Sequence, residues 1–194
     1  WSDSRQQIAI ITCVCDEKLR IWKSNPETAI VRMISRLTLV VHEMQRIGIL
    51  GGMAPESTVE YYRTIIEASH EQGWEKRYPQ TYINSLNFEE FFEPLSNGDD
   101  DRVLAVLSQG LESLDAAGAD FALLASNTPH KYFQTLAQDS QIPLRSIVNA
   151  TAEKAVEKGY ADIGLLGTLY TTNGRFYPNG FEDHGLTVHT PSQS

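Results

Sequence analysis

The sequence predicts an α/β fold in which the strands of a parallel sheet alternate with helices. Short apolar runs of the kind that form buried strands begin at Ile47, Phe121 and Ile163, and each ends in glycine or in small polar residues. Stretches with apolar residues at helical spacing lie between these runs. This alternation over short connections indicates βαβ units, with helices on both faces of the sheet and right-handed crossovers.

The first predicted strand is the run at residues 46–50. It leads into Gly51-Gly52 and then into a periodic stretch that opens with Pro55 and continues to about residue 70. This pattern predicts a strand, a glycine turn and a helix, because proline suits the first helical turn, where its missing N–H is not needed. Residues 81–88 are the second strand candidate.

The middle of the chain repeats the pattern. Residues 101–118 are predicted to form an amphipathic helix, since their apolar residues recur at helical spacing and a glycine ends the run. The continuous apolar run at residues 121–125 predicts a buried strand. Asn127-Thr128-Pro129 follows it as a cap and a proline, which indicates the start of another helix.

The remaining elements continue the alternation. We predict a strand at residues 142–148, a helix at 150–158, a strand at 163–167 and a last strand at 186–188. In open parallel sheets, ligands bind beyond the carboxyl ends of the strands, where helix amino ends present free N–H groups. The candidate binding turns are therefore Gly51-Gly52-Met53, Ser126-Asn127-Thr128 and Gly167-Thr168.

Charge and cysteine content exclude several classes of protein. A net charge of −9 has the wrong sign for binding nucleic acid or an anionic membrane surface. The apolar run at residues 29–41 is too short to span a bilayer and contains Arg32 and Arg36. Cys13 and Cys15 are too close for an ordinary disulfide, and no metal-ligand spacing follows them. We expect a cytoplasmic protein with no metal site.

The beginning of the chain differs in composition from the rest. All 13 glycines follow residue 46, and Met44 stands just before the first predicted strand. The first 43 residues are either a variable extension or upstream sequence read through in frame, or else a genuine accessory segment. The predicted organisation is an extension at 1–43, a first α/β lobe at 44–154 and the start of a second α/β lobe at 155–194.

The densest polar run, Ser126-Asn127-Thr128-Pro129-His130, has two interpretations. It is either a helix cap followed by a surface histidine, or a carboxylate-binding turn with a reactive position at Ser126. The run lacks the Gly-x-Ser-x-Gly pattern of a serine hydrolase.

The other two turns are less specific. Gly51-Gly52 suits either close approach of a carboxylate or phosphate or a purely structural turn, and it lacks the glycine spacing of nucleotide-binding loops. Thr168 suits either a polar ligand or ordinary helix capping.

Five motifs together are more informative than any one of them. In order, they are Ile47-Gly48-Ile49-Leu50-Gly51-Gly52-Met53, Pro55-Glu56-Ser57-Thr58 with Tyr61-Tyr62, Asn84-Ser85-Leu86-Asn87-Phe88-Glu89-Glu90, Asn127-Thr128-Pro129-His130-Lys131, and Gly164-Leu165-Leu166-Gly167-Thr168 with Thr172 and Phe176-Tyr177. In order and spacing they resemble the aspartate/glutamate racemase family, over about residues 45–191.

The resemblance implies a cofactor-independent amino-acid racemase, which is an isomerase. Such an enzyme has two parallel-sheet α/β lobes with the active site between them. One acid/base residue on each face of the substrate Cα removes or returns the proton, typically as a cysteine pair, without pyridoxal phosphate or metal. The resemblance further implies aspartate or glutamate as the small-molecule substrate, and a homodimer.

Carried over by position, Ser126 occupies the place of the first catalytic cysteine. Asn127, Thr128 and Thr168 take the places of the contacts to the substrate carboxylate and amino groups, and Met53 lies on the glycine loop. Serine is a departure from the family pattern, because a hydroxyl is a far weaker acid than a thiol, whose pKa is about 8.5.

A second departure concerns the end of the sequence. The family carries its second catalytic cysteine in a Gly-Cys-Thr-Glu type motif, which does not occur before Ser194. We therefore expect an incomplete second lobe in a truncated chain. Two function classes stay open: a racemase homologue, or a noncatalytic amino-acid or dicarboxylate-binding module or inactive fragment.

Overall fold

The computed structural model describes residues 8–12, 45–74 and 76–191. The predictions that concern Cys13, Cys15 and Met44 lie outside these residues. The chain divides into two compact units. The first unit is Pro26–Ile147, and the second unit is Val148–Ser194 together with Trp1–Asn25.

The first unit contains one four-stranded sheet flanked by helices. Its four strands all pair in parallel, in the order Thr81–Ser85, Ile47–Gly51, Phe121–Leu124 and Leu144–Arg145. In chain order, its elements are β2 (Ile47–Gly51), α1 (Pro55–Glu71), β3 (Thr81–Ser85), α2 (Phe88–Asn97), α3 (Asp100–Ala117), β4 (Phe121–Leu124), a 3-10 helix (Thr128–Tyr132), α4 (Phe133–Asp139) and β5 (Leu144–Arg145).

Alternate residues of β2 face opposite layers of helices. Ile47 and Ile49 pack with Ile65 of α1 on one face of the sheet. Leu50 packs with Leu107 of α3 on the other face, in a core that α2 and α4 also join. The predicted α/β architecture, with helices on both faces of a parallel sheet, is therefore confirmed in this unit.

Arg46 and Asp120 join the amino ends of β2 and β4 across 74 residues of sequence. The Arg46 guanidinium donates to Asp120 Oδ1 over 2.8 Å, and the Arg46 main-chain N–H donates to Oδ2 over 2.6 Å. These bonds hold the pKa of Asp120 below its ordinary value. They fix β2 beside β4 at the edge of the sheet opposite the candidate binding turns.

The second unit contains a three-stranded parallel sheet in the order β1 (Ile8–Thr12), β6 (Asp162–Leu166) and β7 (Thr187–His189). Phe181, Tyr177 and Ile163 are fully buried in this unit. In chain order, its elements are β1 (Ile8–Thr12), α5 (Ile147–Glu157), β6 (Asp162–Leu166), α6 (Leu169–Thr172), α7 (Phe176–Glu182) and β7 (Thr187–His189). Ile147, the first residue of α5, is also the last residue of the first unit.

Two strands are shorter than the sequence predicts. The strand expected at residues 81–88 ends at Ser85, because the Asn87 side chain accepts a hydrogen bond from the Glu89 N–H over 3.0 Å and starts α2 there. The strand expected at residues 142–148 is reduced to Leu144–Arg145, because α5 already begins at Ile147. Both corrections replace the end of a strand with the beginning of a helix.

Candidate active site

The carboxyl ends of β2, β3 and β4 meet at one edge of the first unit's sheet. Beyond the strands themselves, the Leu86 N–H donates to the Gly51 carbonyl over 3.0 Å, and the Ala125 N–H donates to the Leu50 carbonyl over 2.9 Å. The glycine turn after β2 and the turn after β4 therefore lie side by side. This edge is where open parallel sheets bind ligands.

The glycine turn is shaped by close main-chain approach. Gly52 has a φ of +83° and donates its N–H to Thr58 Oγ1 over 3.0 Å. A Cβ at this position would run into the main chain of Leu86, so only glycine fits. The Met53 side chain that follows is buried in the hydrophobic core. Any contact of Met53 with a polar ligand must therefore come from its main chain.

Ser126, Asn127 and Thr128, here called the 126–128 turn, follow the buried end of β4. All three residues are partly exposed, whereas the preceding Ala125 is fully buried. Among the residues that the structure describes, the Ser126 hydroxyl makes no hydrogen bond. Thr128 begins the 3-10 helix. The turn thus presents short polar side chains at the ligand-binding edge of the sheet.

His130 lies directly beneath this turn and is only 3% exposed. Its Nδ1 lies 2.9 Å from the Ser126 carbonyl oxygen, and its Nε2 lies 3.2 Å from the Ile147 main-chain nitrogen. A carbonyl only accepts and an amide N–H only donates, so Nδ1 carries the proton and Nε2 accepts. The ring also stacks on Phe133, with 5.5 Å between centroids and 1° between planes.

Burial lowers the pKa of His130 from 6.5 to about 4, while hydrogen bonds with the Ser126 and Asn127 main chain act in the opposite direction. The imidazole is therefore neutral near pH 7. Because the folded protein binds this proton less readily than the unfolded chain does, acidification from pH 6.5 towards 4 destabilises the fold. The interpretation of His130 as a surface histidine is wrong.

An ionic cluster holds the 3-10 helix from its outer side. Lys131 Nζ lies 2.8 Å from Asp100 Oδ1, and the Tyr132 hydroxyl donates to the same oxygen over 2.6 Å. These two hydrogen bonds lower the pKa of Asp100. Since Asp100 is the first residue of α3, the cluster ties the segment after the 126–128 turn to the long helix of this unit.

Thr168 belongs to the second unit, whereas the other predicted site residues belong to the first. It is exposed and occupies the position that caps α6. Its carbonyl accepts from the N–H groups of Thr171 and Thr172, each over 2.9 Å, and its hydroxyl lies 3.3 Å from the Thr171 hydroxyl. Local capping accounts for these bonds, and the exposed face of Thr168 leaves ligand contact open.

Neither a metal centre nor a membrane span is present in the part of the chain that the structure describes. No group of three or more histidine, cysteine or acidic side chains is placed to hold a metal ion. No helix within these ranges is long and apolar enough to cross a bilayer.

Comparison with known proteins identifies the class to which this fold and turn belong. The family model for Asp/Glu/hydantoin racemases matches residues 50–194. The chain therefore belongs to this family, as the five motifs indicate. Over 150 residues it is 27% identical to the broad specificity amino-acid racemase RacX of Bacillus subtilis strain 168. This alignment covers 73% of this chain and 63% of that protein.

Two solved structures support the same assignment. One is an aspartate racemase homologue from Pyrococcus horikoshii OT3, with 37% identity, a TM-score of 0.70, and coverage of 77% of this chain and 66% of that one. The other is a candidate Asp/Glu racemase from Yersinia pestis, with 34% identity, a TM-score of 0.72 and the same coverage. The chain thus spans less than two thirds of the length of each of these relatives.

Proposed function

We propose that this chain supplies the substrate-binding turn and one acid/base position of a cofactor-independent amino-acid racemase. Aspartate and glutamate are the proposed substrates, and the reaction is removal and return of the proton at Cα. Membership of the racemase family supports this assignment. The observation that carries it is the partly exposed 126–128 turn, beside the glycine turn at the carboxyl edge of β2 and β4.

Removal of the proton at Cα leaves a carbanion, and its additional negative charge is partly delocalised onto the neighbouring carboxylate. A protein without a cofactor must stabilise this charge with fixed N–H and hydroxyl dipoles. In our proposal Asn127 and Thr128 hold the substrate carboxylate, together with the Met53 main chain. Ser126 then faces one side of the substrate Cα.

Among the residues that the structure describes, Ser126 has no hydrogen-bonded partner that could make it a strong base. His130 is the imidazole nearest in sequence, but both of its ring nitrogens are already bonded to main-chain groups. A serine hydroxyl without an adjacent base does not accept a proton from carbon near neutral pH. This observation favours a second candidate function, noncatalytic binding of an amino acid or dicarboxylate at the same turn.

Exchange of the substrate α-proton with solvent deuterium separates the two candidates. We predict little exchange of L- or D-aspartate, or of either glutamate, by the unsubstituted chain without added cofactor. Ser126→Cys should raise exchange at least tenfold, because a thiol supplies a few per cent of thiolate at neutral pH. Proton NMR of the α-position measures the rate.

Ser113→Cys is the matched control, since Ser113 is an exposed serine on α3, outside the 126–128 turn. It should leave exchange at the unsubstituted level. Ligand binding without exchange in either the unsubstituted chain or Ser126→Cys would favour the binding module. Absence of binding by all four amino acids would contradict both candidates, and fast, symmetric exchange by the unsubstituted chain would contradict our account of Ser126.

A further inference from the structure

We propose that His130 is a positioning residue that sets the geometry of the 126–128 turn, an inference that rests on the proposed function of that turn. Its two ring nitrogens join the end of β4 to the beginning of α5, through the Ser126 carbonyl and the Ile147 N–H. The residue thus connects the candidate ligand-binding turn to a separate element, 17 residues further along the chain.

The two bonds require one protonation state of the ring. The Ser126 carbonyl needs a donor at Nδ1, and the Ile147 N–H needs an acceptor at Nε2. A charged imidazolium would place two N–H groups against each other at Ile147. Burial keeps the ring neutral, and stacking on Phe133 fixes its plane. His130 therefore acts as a fixed donor towards the turn.

This donor controls the peptide unit between Ser126 and Asn127. Hydrogen bonds that are connected in a chain polarise one another. A bond accepted by the Ser126 carbonyl therefore makes the N–H of Asn127, in the same peptide unit, a stronger donor. The His130 main-chain N–H also donates to the Asn127 carbonyl over 3.0 Å. His130 thus fixes the peptide units on both sides of Asn127, which is where the proposed carboxylate contact lies.

A purely structural role and a positioning role make different demands on the residue at 130. Filling the core requires volume and satisfied polar atoms. Positioning the turn requires a donor at the place of Nδ1. Asparagine can present its amide nitrogen near that place, whereas the longer glutamine places its amide near Nε2, where it can accept from Ile147. The two amides therefore each retain a different one of the two bonds.

The test compares His130→Asn with His130→Gln in the full 194-residue chain. We expect similar losses in the thermal unfolding midpoint, because each variant loses one of two buried bonds. The dissociation constant for aspartate or glutamate should rise about tenfold more in His130→Gln than in His130→Asn, because only glutamine loses the donor to Ser126. Equal weakening in the two variants would overturn the proposal.

A second measurement on the unsubstituted protein does not depend on the stability of any variant. Long-range proton–nitrogen NMR at pH 7 should find the His130 ring neutral, with its proton on Nδ1. A proton on Nε2, or a charged ring, would overturn the proposal.

A third measurement separates failure of this inference from failure of the proposed function. If the unsubstituted chain binds neither aspartate nor glutamate, the proposed function fails. The amide shifts of residues 127 and 128 then test the positioning role. Displacement in His130→Gln alone supports it, and equal displacement in both variants overturns it.

Discussion

At the scale of single residues, Ser126 and His130 lie four positions apart yet do not form a nucleophile–base pair. In such a pair, an imidazole nitrogen faces the hydroxyl and removes its proton. Here Nδ1 bonds to the Ser126 carbonyl and Nε2 bonds to Ile147, so the ring holds the main chain instead of activating the side chain. The Ser126 hydroxyl can therefore donate or accept a hydrogen bond, but His130 does not assist it in removing a proton from the substrate.

Asn127→Ala should weaken binding of aspartate and glutamate by about 1–3 kcal/mol, the cost of leaving a buried polar partner unsatisfied. Isothermal titration calorimetry with each amino acid measures the change. Asn97→Ala is the matched control, because Asn97 is an exposed asparagine at the end of α2. An unchanged dissociation constant for Asn127→Ala would remove this turn from the proposed site.

The value of sequence reasoning also differs from residue to residue within the site. The polar run at Ser126, Asn127 and Thr128 is visible in the sequence, because a strand pattern ends there and small polar residues follow. The role of His130 is not visible, since its burial depends on Phe133 and on Ile147, which belongs to a different element. The position of a histidine next to a proline in a polar run does not predict which main-chain groups its ring will contact.

At the scale of elements, the glycine turn after β2 depends on the absence of a side chain. Gly52→Ala should destabilise the protein by about 2–4 kcal/mol, because it adds a collision with the Leu86 main chain to the cost of a positive φ. Gly98→Ala measures the cost of a positive φ alone. Gly98 has a φ of +72° with no atom within 4 Å of the added Cβ, so it should lose only about 1 kcal/mol.

Chemical denaturation of both variants measures the difference. Equal losses would contradict the close approach of β3 to the glycine turn. Loss of ligand binding in Gly52→Ala at temperatures where it remains folded would in addition connect the turn to the proposed site.

Elements with one dominant pattern can be predicted from the sequence, whereas helices α2 and α6 cannot. The apolar run of β4 and the helical spacing of α3 were sufficient to predict both. The sequence does not predict helix α2, because Pro94 lies inside it and no glycine or proline separates its first turn from the preceding strand. Helix α6 has only four residues, too few for any period to emerge.

At the scale of the whole molecule, the first 43 residues include the strand β1, which pairs with all five residues of β6 in the second unit. Among the residues that the structure describes, the two apolar clusters of the first unit are built from buried side chains between Ile47 and Ile142. We propose that residues 1–43 are an extension outside the family match. Their removal should therefore be assessed separately in the first unit and in the second unit.

A variant that begins at Met44 should keep a cooperative thermal transition, because the first unit retains its sheet and both of its apolar layers. Amide hydrogen exchange should accelerate at residues 162–166, where β6 loses β1, one of its two neighbouring strands. Circular dichroism and exchange mass spectrometry provide the two measurements. Disappearance of the cooperative transition would contradict the prediction, as would unchanged protection of β6.

The pairing of β2 with β4 also has a consequence for folding during synthesis on the ribosome. Arg46 and Asp120 meet across 74 residues, which takes roughly 4–15 s of synthesis at about 5–20 residues per second. During that interval β2, an apolar strand, has emerged while its neighbour is still being translated, and one row of its main-chain N–H and C=O groups lacks a partner. The hazard of misassociation is therefore concentrated in the nascent chain, and slowing translation between these two residues should increase it.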